Sequence, residues 1–167
     1  MSFLEDCFMP EIIMKYRIVF LIVICVYPFC SVAKDQSYFV PLHEKGALTY
    51  YVSGHIEGFG ETEFMVDTGS GYTTINEHTL GILKAKGKVE YSKQLRGILA
   101  DGSEKIVSVY RVESLNLGGK CELQDVEVAI FPGKTRQILG LNALRRAGEF
   151  TFSFDPPLLS FAQCGNA

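Results

Sequence analysis

The chain has 167 residues, of which 47% are hydrophobic and 21% charged, and its formal net charge is -3 at pH 7. This composition is typical of a folded domain rather than a disordered or fibrous chain. The slightly acidic balance excludes the basic surface that nucleic-acid binding requires, so the lysines from Lys84 to Lys93 are interpreted as a solvated face.

The first 33 residues differ from the rest of the chain. Two basic residues precede the apolar run Ile18 to Tyr27, and the small residues Ser31 and Ala33 come after it. This order is typical of a secretory signal peptide, and the run is short for a membrane span. The sequence therefore predicts export, to the periplasm or to the outside of the cell.

An uncleaved anchor is the alternative interpretation, because Ile18 to Ala33 nearly spans a thin bilayer. In that case the N-terminal segment is the only predicted contact with the membrane. Met14 lies just before the basic pair and is an alternative start of translation. With either start, residues 34–167 are predicted to form a single domain.

Two of the five cysteines, Cys121 and Cys164, lie in this predicted domain. Export permits a disulfide between them, and the alternative is two small buried residues in separate strands. His43, His55 and His78 do not combine with the cysteines at the spacing of zinc ligands. We therefore predict no metal site and no cofactor.

The first third of the domain has a β pattern. Strands are predicted at Tyr38 to Val40, at Leu48 to Ile56 and at Glu63 to Val66, with Gly54 and Gly58 to Gly60 as flexible turn positions. These short segments indicate a meander of antiparallel strands.

The middle of the chain combines one helix with a hairpin. Asn76 is a predicted N-cap for a short helix from Glu77 to Lys86. Strand patterns at Gln94 to Leu99 and Lys105 to Val112 flank an Asp-Gly pair at Asp101, which is a strong hairpin signal. The hairpin is expected to project from the domain.

The last third contains further strands and a second helix. A hairpin turn is predicted at Leu115 to Lys120, a strand at Val126 to Ile130 and a short helix at Asn142 to Ala147. Phenylalanines alternate from Phe150 to Phe154, which predicts a buried aromatic face. Two prolines place the final run, Leu158 to Phe161, at a sheet edge or at the terminus.

The chemistry of the chain centres on Asp67. The apolar residues Phe64 to Val66 deliver this carboxylate to the end of a predicted strand, and Gly69 lets the chain turn sharply. Asp67 could take part in catalysis there, or it could cap its own turn, as aspartates often do.

The segment Phe64 to Ser70 resembles the active-site signature of aspartic proteases. Ile138-Leu139-Gly140 is similar to the second apolar-apolar-glycine element of the single-lobed, retropepsin-like members, and Leu144 to Arg146 is similar to the residues after that element in bacterial exported relatives. The resemblance implies a mainly β fold, a closed retropepsin-like acid-protease barrel with one or two short helices. Ile138, Leu139 and Gly140 would be structural residues under the active site.

The resemblance also implies roles for individual residues. Asp67 would be the catalytic residue, and as the chain has one Asp-Thr-Gly, a second copy in a homodimer would supply the other carboxylate. A flap would close over a peptide or protein substrate. Active-site support is expected from Thr68, Gly69 and Ser70, and flap contacts with substrate from Leu99, Ala100, Asp101 and Gly102.

Two other functions fit the same residues. A barrel of this ancestry can lose its activity and serve as a binding or scaffolding module of the cell envelope. An exported β-sandwich in which Asp-Thr-Gly is only a turn is the third interpretation. Peptide cleavage that depends on Asp67 distinguishes the first function from both.

Overall fold

A computed structural model describes residues 37–99 and 101–165 of the chain. The predicted signal peptide or anchor at residues 1–33, the alternative start at Met14 and the flap residue Ala100 lie outside the described residues. In the part of the chain that is described, no helix is long and apolar enough to cross a membrane.

The described domain is mainly β, as predicted. Its strands are β1 (Tyr38–Glu44), β2 (Tyr50–Ile56), β3 (Gly60–Val66), β4 (Thr73–Asn76), β5 (Val89–Ile98), β6 (Glu104–Leu117), β7 (Cys121–Phe131), β8 (Gln137–Leu139), β9 (Phe150–Phe154) and β10 (Pro157–Phe161). The helices are α1 (Glu77–Ala85) and α2 (Leu141–Leu144), the latter continued by a 3-10 turn at Arg145–Ala147.

Six of the strands close into a barrel, which confirms the predicted architecture. Their order is β6, β7, β4, β8, β3 and β2, and β2 pairs back with β6 to complete the ring. Strand β5 extends the sheet beyond β6, while β1, β10 and β9 extend it beyond β2. The interior is filled by alternate apolar residues such as Val52, Phe64 and Leu139, all essentially inaccessible to solvent.

Helix α1 has the predicted capping pattern. The Asn76 side-chain oxygen accepts a hydrogen bond from the Thr79 N–H at 2.9 Å, which satisfies one of the free donors of the first turn. Leu80 and Leu83 are buried against the barrel, and the chain turns away at Gly87 with a φ of +65°. The helix therefore covers one face of the core, as expected from its sequence.

Two expectations about local structure in the first third are wrong. Gly54 lies inside β2 rather than in a turn, and a Cβ there would be 2.8 Å from the ring of Phe64. Its small size is needed for packing across the sheet. Leu48, predicted in a strand, lies in the turn before β2 with a φ of +56°.

The C-terminal strands also differ from prediction. Strand β10 is the last strand of the described chain, which is one of the two predicted places, but it pairs with both β1 and β9. It is therefore internal in the sheet, and β9 is the edge strand. Pro157 is the first residue of β10, where a missing N–H is tolerated. The aromatic face of β9 is only partly buried, because Phe154 at its end remains 68% exposed. In the extension formed by β1, β10 and β9, the middle strand β10 therefore packs on the core, and the outer strand β9 is only partly buried.

Candidate active site

Asp67 is positioned by parallel pairing of β3 with β8. Val66 lies opposite Leu139, and the Asp67 N–H donates a hydrogen bond to the Leu139 carbonyl at 3.1 Å. Ile138 lies opposite Met65 on the same pair of strands. The two motifs, separated by about seventy residues, therefore lie side by side.

The chain turns immediately after Asp67. The Gly69 N–H donates to one carboxylate oxygen of Asp67 at 2.9 Å, and the Ser70 N–H donates to the Asp67 carbonyl at 3.2 Å. Asp67 thus caps its own turn with Oδ1, as one interpretation of the sequence expected. The turn uses only one of its two carboxylate oxygens, so capping and catalysis are compatible.

Hydrogen bonds join this turn to the start of α2. The Leu141 N–H donates to the Ser70 carbonyl at 2.8 Å, and the Asn142 N–H donates to the Gly71 carbonyl at 3.2 Å. The Ser70 hydroxyl donates to the Tyr72 carbonyl at 2.7 Å. Ser70 therefore fixes the turn, while Thr68 and Gly69 are exposed beside the carboxylate.

Gly140 is required by close approach of the backbone. A Cβ at this position would lie 2.3 Å from the Tyr72 carbonyl oxygen, well inside van der Waals contact. The Gly140 N–H donates to the Thr73 hydroxyl at 3.2 Å. The glycine of the second motif thus lets β8 pass directly against the segment after Asp67.

Asn142 supports the site and was predicted only as the start of a helix. Its side-chain oxygen accepts from the Thr73 N–H at 2.6 Å, and its amide nitrogen donates to the Glu127 carbonyl at 2.7 Å. It links three separate segments of the chain. No local pattern indicates these partners, and the nearest signal is its position two residues after Gly140.

The predicted flap is the β5–β6 hairpin. Its tip is closed by two backbone hydrogen bonds, from the Leu99 N–H to the Ser103 carbonyl at 2.8 Å and from the Gly102 N–H to the Leu99 carbonyl at 2.9 Å. Gly102 has a φ of +80°, which glycine adopts without strain. The paired strands are longer than predicted, and a bulge lies between Tyr91 and Lys93.

Asp101 is a turn residue at this tip. Its carboxylate accepts from the Ser103 hydroxyl at 2.6 Å and from the Ser103 N–H at 2.9 Å. These hydrogen bonds hold the pKa of Asp101 below its ordinary value. The Asp101 carboxylate therefore stabilises the turn at the tip of the hairpin.

Glu127 on β7 fastens the base of the hairpin. It accepts hydrogen bonds from the Lys93 ammonium at 2.8 Å and from the Ser92 hydroxyl at 2.7 Å. The bond from Lys93, followed by that from Ser92, lowers the pKa of Glu127, and Glu127 in turn raises the pKa of Lys93. The bulged part of β5 is thus held against the barrel by a partly buried ion pair.

The histidines lie away from Asp67 and its turn. His43 bonds to Glu63 at 2.7 Å and His55 to Glu61 at 3.0 Å, while His78 is exposed at the start of α1. Among residues 37–99 and 101–165, no group of three or more His, Cys, Asp or Glu side chains is arranged to hold a metal ion.

Cys121 and Cys164 form a disulfide, with their Cα atoms 5.0 Å apart. Cys121 begins β7 and is fully buried, whereas Cys164 lies beyond the last strand. The bond joins the C-terminal end of the described chain to the barrel.

A family model described as gag-polyprotein putative aspartyl protease matches residues 52–146, more than half of the chain. The chain belongs to this family of retropepsin-like aspartyl proteases. The match includes the Asp67 turn, the hairpin and the Ile138-Leu139-Gly140 triplet. A search of curated proteins finds no match to this aspartyl protease homologue.

The fold is also found in a solved structure. A crystal structure of a retropepsin-like aspartic protease from Rickettsia conorii is similar with a TM-score of 0.51 and 17% sequence identity. The alignment covers 75% of this chain and 90% of that chain. At this level of identity the likeness establishes the retropepsin-like fold.

Proposed function

We propose that this aspartyl protease homologue is an endopeptidase that acts as a homodimer, with one Asp67 from each copy forming the catalytic pair. The observation that carries the proposal is the Asp67 turn, which hydrogen bonds hold to Leu139 and to the start of α2. The sequence contains one Asp-Thr-Gly, so two carboxylates require two chains. A two-fold axis brings identical residues together.

The proposed chemistry requires two adjacent carboxylates. Like charges at short range do not both ionise, so the pair shares one proton. The ionised carboxylate takes a proton from a water molecule, whose oxygen attacks the peptide carbonyl carbon. The carboxylic acid supplies a proton to the leaving nitrogen, the C–N bond breaks, and the products are an acid and an amine.

The neighbouring residues have supporting roles in this proposal. Exposed Thr68 would hydrogen-bond across the dimer, Gly69 would let backbone donors approach the carboxylates, and Ser70 would hold the turn. The hairpin tip, including Leu99 and Gly102, would close over an extended peptide held by main-chain hydrogen bonds. The positive φ of Gly102 at a solvent-exposed tip supports this role.

We also propose that the enzyme works outside the cytoplasm, in the periplasm or as a secreted protein. The disulfide between Cys121 and Cys164 supports this location, because such bonds persist in oxidising compartments. The signal-peptide pattern at residues 1–33 points the same way. The substrate is then a peptide or protein of that compartment.

The experiment is a peptide-library digest with wild type and Asp67→Asn. We expect cleavage with an acidic optimum, inhibition by a statine-type mimic of the transition state, and loss of cleavage in Asp67→Asn. Asp125→Asn is the matched control, since it removes the charge of an exposed aspartate of β7 whose φ of +53° asparagine also tolerates. Circular dichroism checks that both variants keep the wild-type fold.

Absence of cleavage by purified dimer from acid to neutral pH contradicts the proposal and favours a binding module. Equal cleavage by wild type and Asp67→Asn assigns the chemistry to another residue or to a contaminant.

A further inference from the structure

Apart from the barrel interior, the described domain has a smaller apolar cluster at the base of the β5–β6 hairpin. Its buried members are Val107 and Val109 of β6 and Ala129 of β7. Leu95 lies opposite Val107 in the hairpin and packs against these residues, half-buried. The cluster therefore joins strand β5 of the hairpin to strand β7 of the barrel. This hairpin-base cluster is defined as Tyr72, Leu95, Val107, Val109, Ala129 and Phe131.

Tyr72 is the member of the cluster that belongs to the Asp67 turn. It follows Gly71 at the end of this turn, and its carbonyl oxygen accepts the Ser70 hydroxyl at 2.7 Å. The same carbonyl oxygen is the atom that a Cβ on Gly140 would meet at 2.3 Å. Tyr72 therefore has its backbone packed into the turn, while its half-buried side chain packs on the hairpin base.

A charged residue of the hairpin contacts the same ring. The Lys93 ammonium lies 5.7 Å from the centre of the Tyr72 ring, a distance typical of a cation–π interaction, and 2.8 Å from a carboxylate oxygen of Glu127. Lys93 comes directly after the bulge of β5. The bend of the hairpin is therefore held against both the Tyr72 ring and strand β7.

We infer that Tyr72 is a positioning residue for the cleavage reaction, because it transmits the position of the β5–β6 hairpin to the Asp67 turn. The inference rests on the proposed function, in which the hairpin tip closes over a peptide. When the hairpin moves, Leu95 and Lys93 move against the Tyr72 ring, and the Tyr72 backbone passes the displacement to the turn. Closure over the substrate and orientation of the carboxylate are thus linked, and a small displacement of a reacting group changes the rate strongly.

The first test is peptide kinetics with Tyr72→Ala and Tyr72→Phe. We expect kcat of Tyr72→Ala to fall by about ten- to a hundredfold, with KM changed less than about twofold, because the carboxylate is misplaced in the bound complex. Tyr72→Phe retains the ring and should keep the kcat of wild type. Circular dichroism gives the folded fraction of each variant, so that kcat refers to folded protein.

Tyr91→Ala is the matched control for these kinetics. Tyr91 is an exposed tyrosine of β5, and its ring packs on Tyr110 at a centroid distance of 5.5 Å rather than on the hairpin-base cluster. Its kcat and KM should equal those of wild type.

The second test needs no cleavage. The Gly69 and Ser70 N–H groups both donate to Asp67, so their amide chemical shifts in NMR spectra report on the turn. We expect Leu95→Ala in the hairpin to shift these two resonances when Tyr72 is present. In the Tyr72→Ala background, Leu95→Ala should shift them no further, because the contact that transmits the change is gone.

The two tests separate this inference from the proposed function. If Tyr72→Ala raises KM and leaves kcat at the wild-type value, the positioning role is wrong and the protease assignment stands. Equal shifts from Leu95→Ala with and without Tyr72 also contradict the positioning role. If wild type cleaves nothing but the shifts depend on Tyr72, the link between hairpin and turn stands and the protease assignment fails.

Discussion

At the scale of a single residue, Gly140 allows its own motif to pack against the segment that follows Asp67. A methyl group there meets the Tyr72 backbone at 2.3 Å, and backbone cannot move aside as a flexible side chain does. We expect Gly140→Ala to lower the free energy of unfolding by about 2–3 kcal/mol, measured by urea unfolding with circular dichroism.

The matched control for Gly140→Ala is Gly71→Ala in the same turn region. A Cβ on Gly71 meets no atom within 4 Å, so the free energy of unfolding should change by less than about 0.5 kcal/mol. Equal unfolding midpoints for Gly140→Ala and wild type contradict the close packing of β8 against the segment after Asp67.

Glu127 makes stability depend on pH. Its folded-state pKa is lowered below the ordinary 4.5, so the unfolded chain binds the proton more readily. The stabilising contribution is present above pH 4.5 and is lost as the pH falls through the lowered value. The side chain is 25% exposed, and solvent screening limits the effect to about 0.5 kcal/mol.

We therefore expect the free energy of unfolding of Glu127→Gln, measured by urea unfolding, to fall by about 0.5 kcal/mol less than that of wild type between neutral and strongly acidic pH. Glu90→Gln, an exposed glutamate of β5, is the control and should behave as wild type does. If the free energy of unfolding of Glu127→Gln falls with pH as much as that of wild type does, the ion pair with Lys93 does not stabilise the base of the hairpin.

The β5–β6 hairpin is the element whose role is most directly testable. Gly102→Val places a β-branched residue at a φ of +80°, which costs about 1–3 kcal/mol locally and distorts the tip. If the tip closes over substrate, kcat/KM should fall by about ten- to a hundredfold.

Gly97→Ala is the control for the hairpin tip. Gly97 lies on β5 near the tip, and a Cβ there meets only ordinary contacts at 3.8 Å. Its kcat/KM on the same peptide should equal that of wild type. An unchanged kcat/KM in Gly102→Val contradicts a flap role for Leu99 to Ser103.

At the scale of the whole molecule, the disulfide between Cys121 and Cys164 contributes to the stability of the folded chain. It joins residues 43 apart in sequence, and the loss of chain entropy in the unfolded state corresponds to about 4 kcal/mol. We expect reductant to lower the urea midpoint of wild type to that of Cys121→Ala/Cys164→Ala. Reductant should not affect the double variant, and equal midpoints of oxidised and reduced wild type contradict this stabilisation.

Local patterns identified most of the candidate site. The capped helix after Asn76, the turn after Asp67 and the tip at Gly102 each depend on residues within a few positions of one another. Such signals are readable because capping, turn geometry and φ preferences act over short stretches of chain.

Residues whose roles depend on distant partners could not be predicted in the same way. Asn142 hydrogen-bonds to Thr73 and Glu127, which are 69 and 15 positions away in the sequence. Position 54 requires glycine because the Phe64 ring packs against it. Their sequence neighbours carry no information about these contacts, since strand pairing creates them.

The sequence by itself determined the β class, the Asp67 motif and its partner triplet, because hydrophobic alternation and turn chemistry are local. Only the tertiary structure decided which six strands close the barrel, that Cys121 bonds Cys164, and that β9 is the outer strand. The order of strands results from burying apolar faces shared by segments far apart in the chain, and no local pattern encodes it.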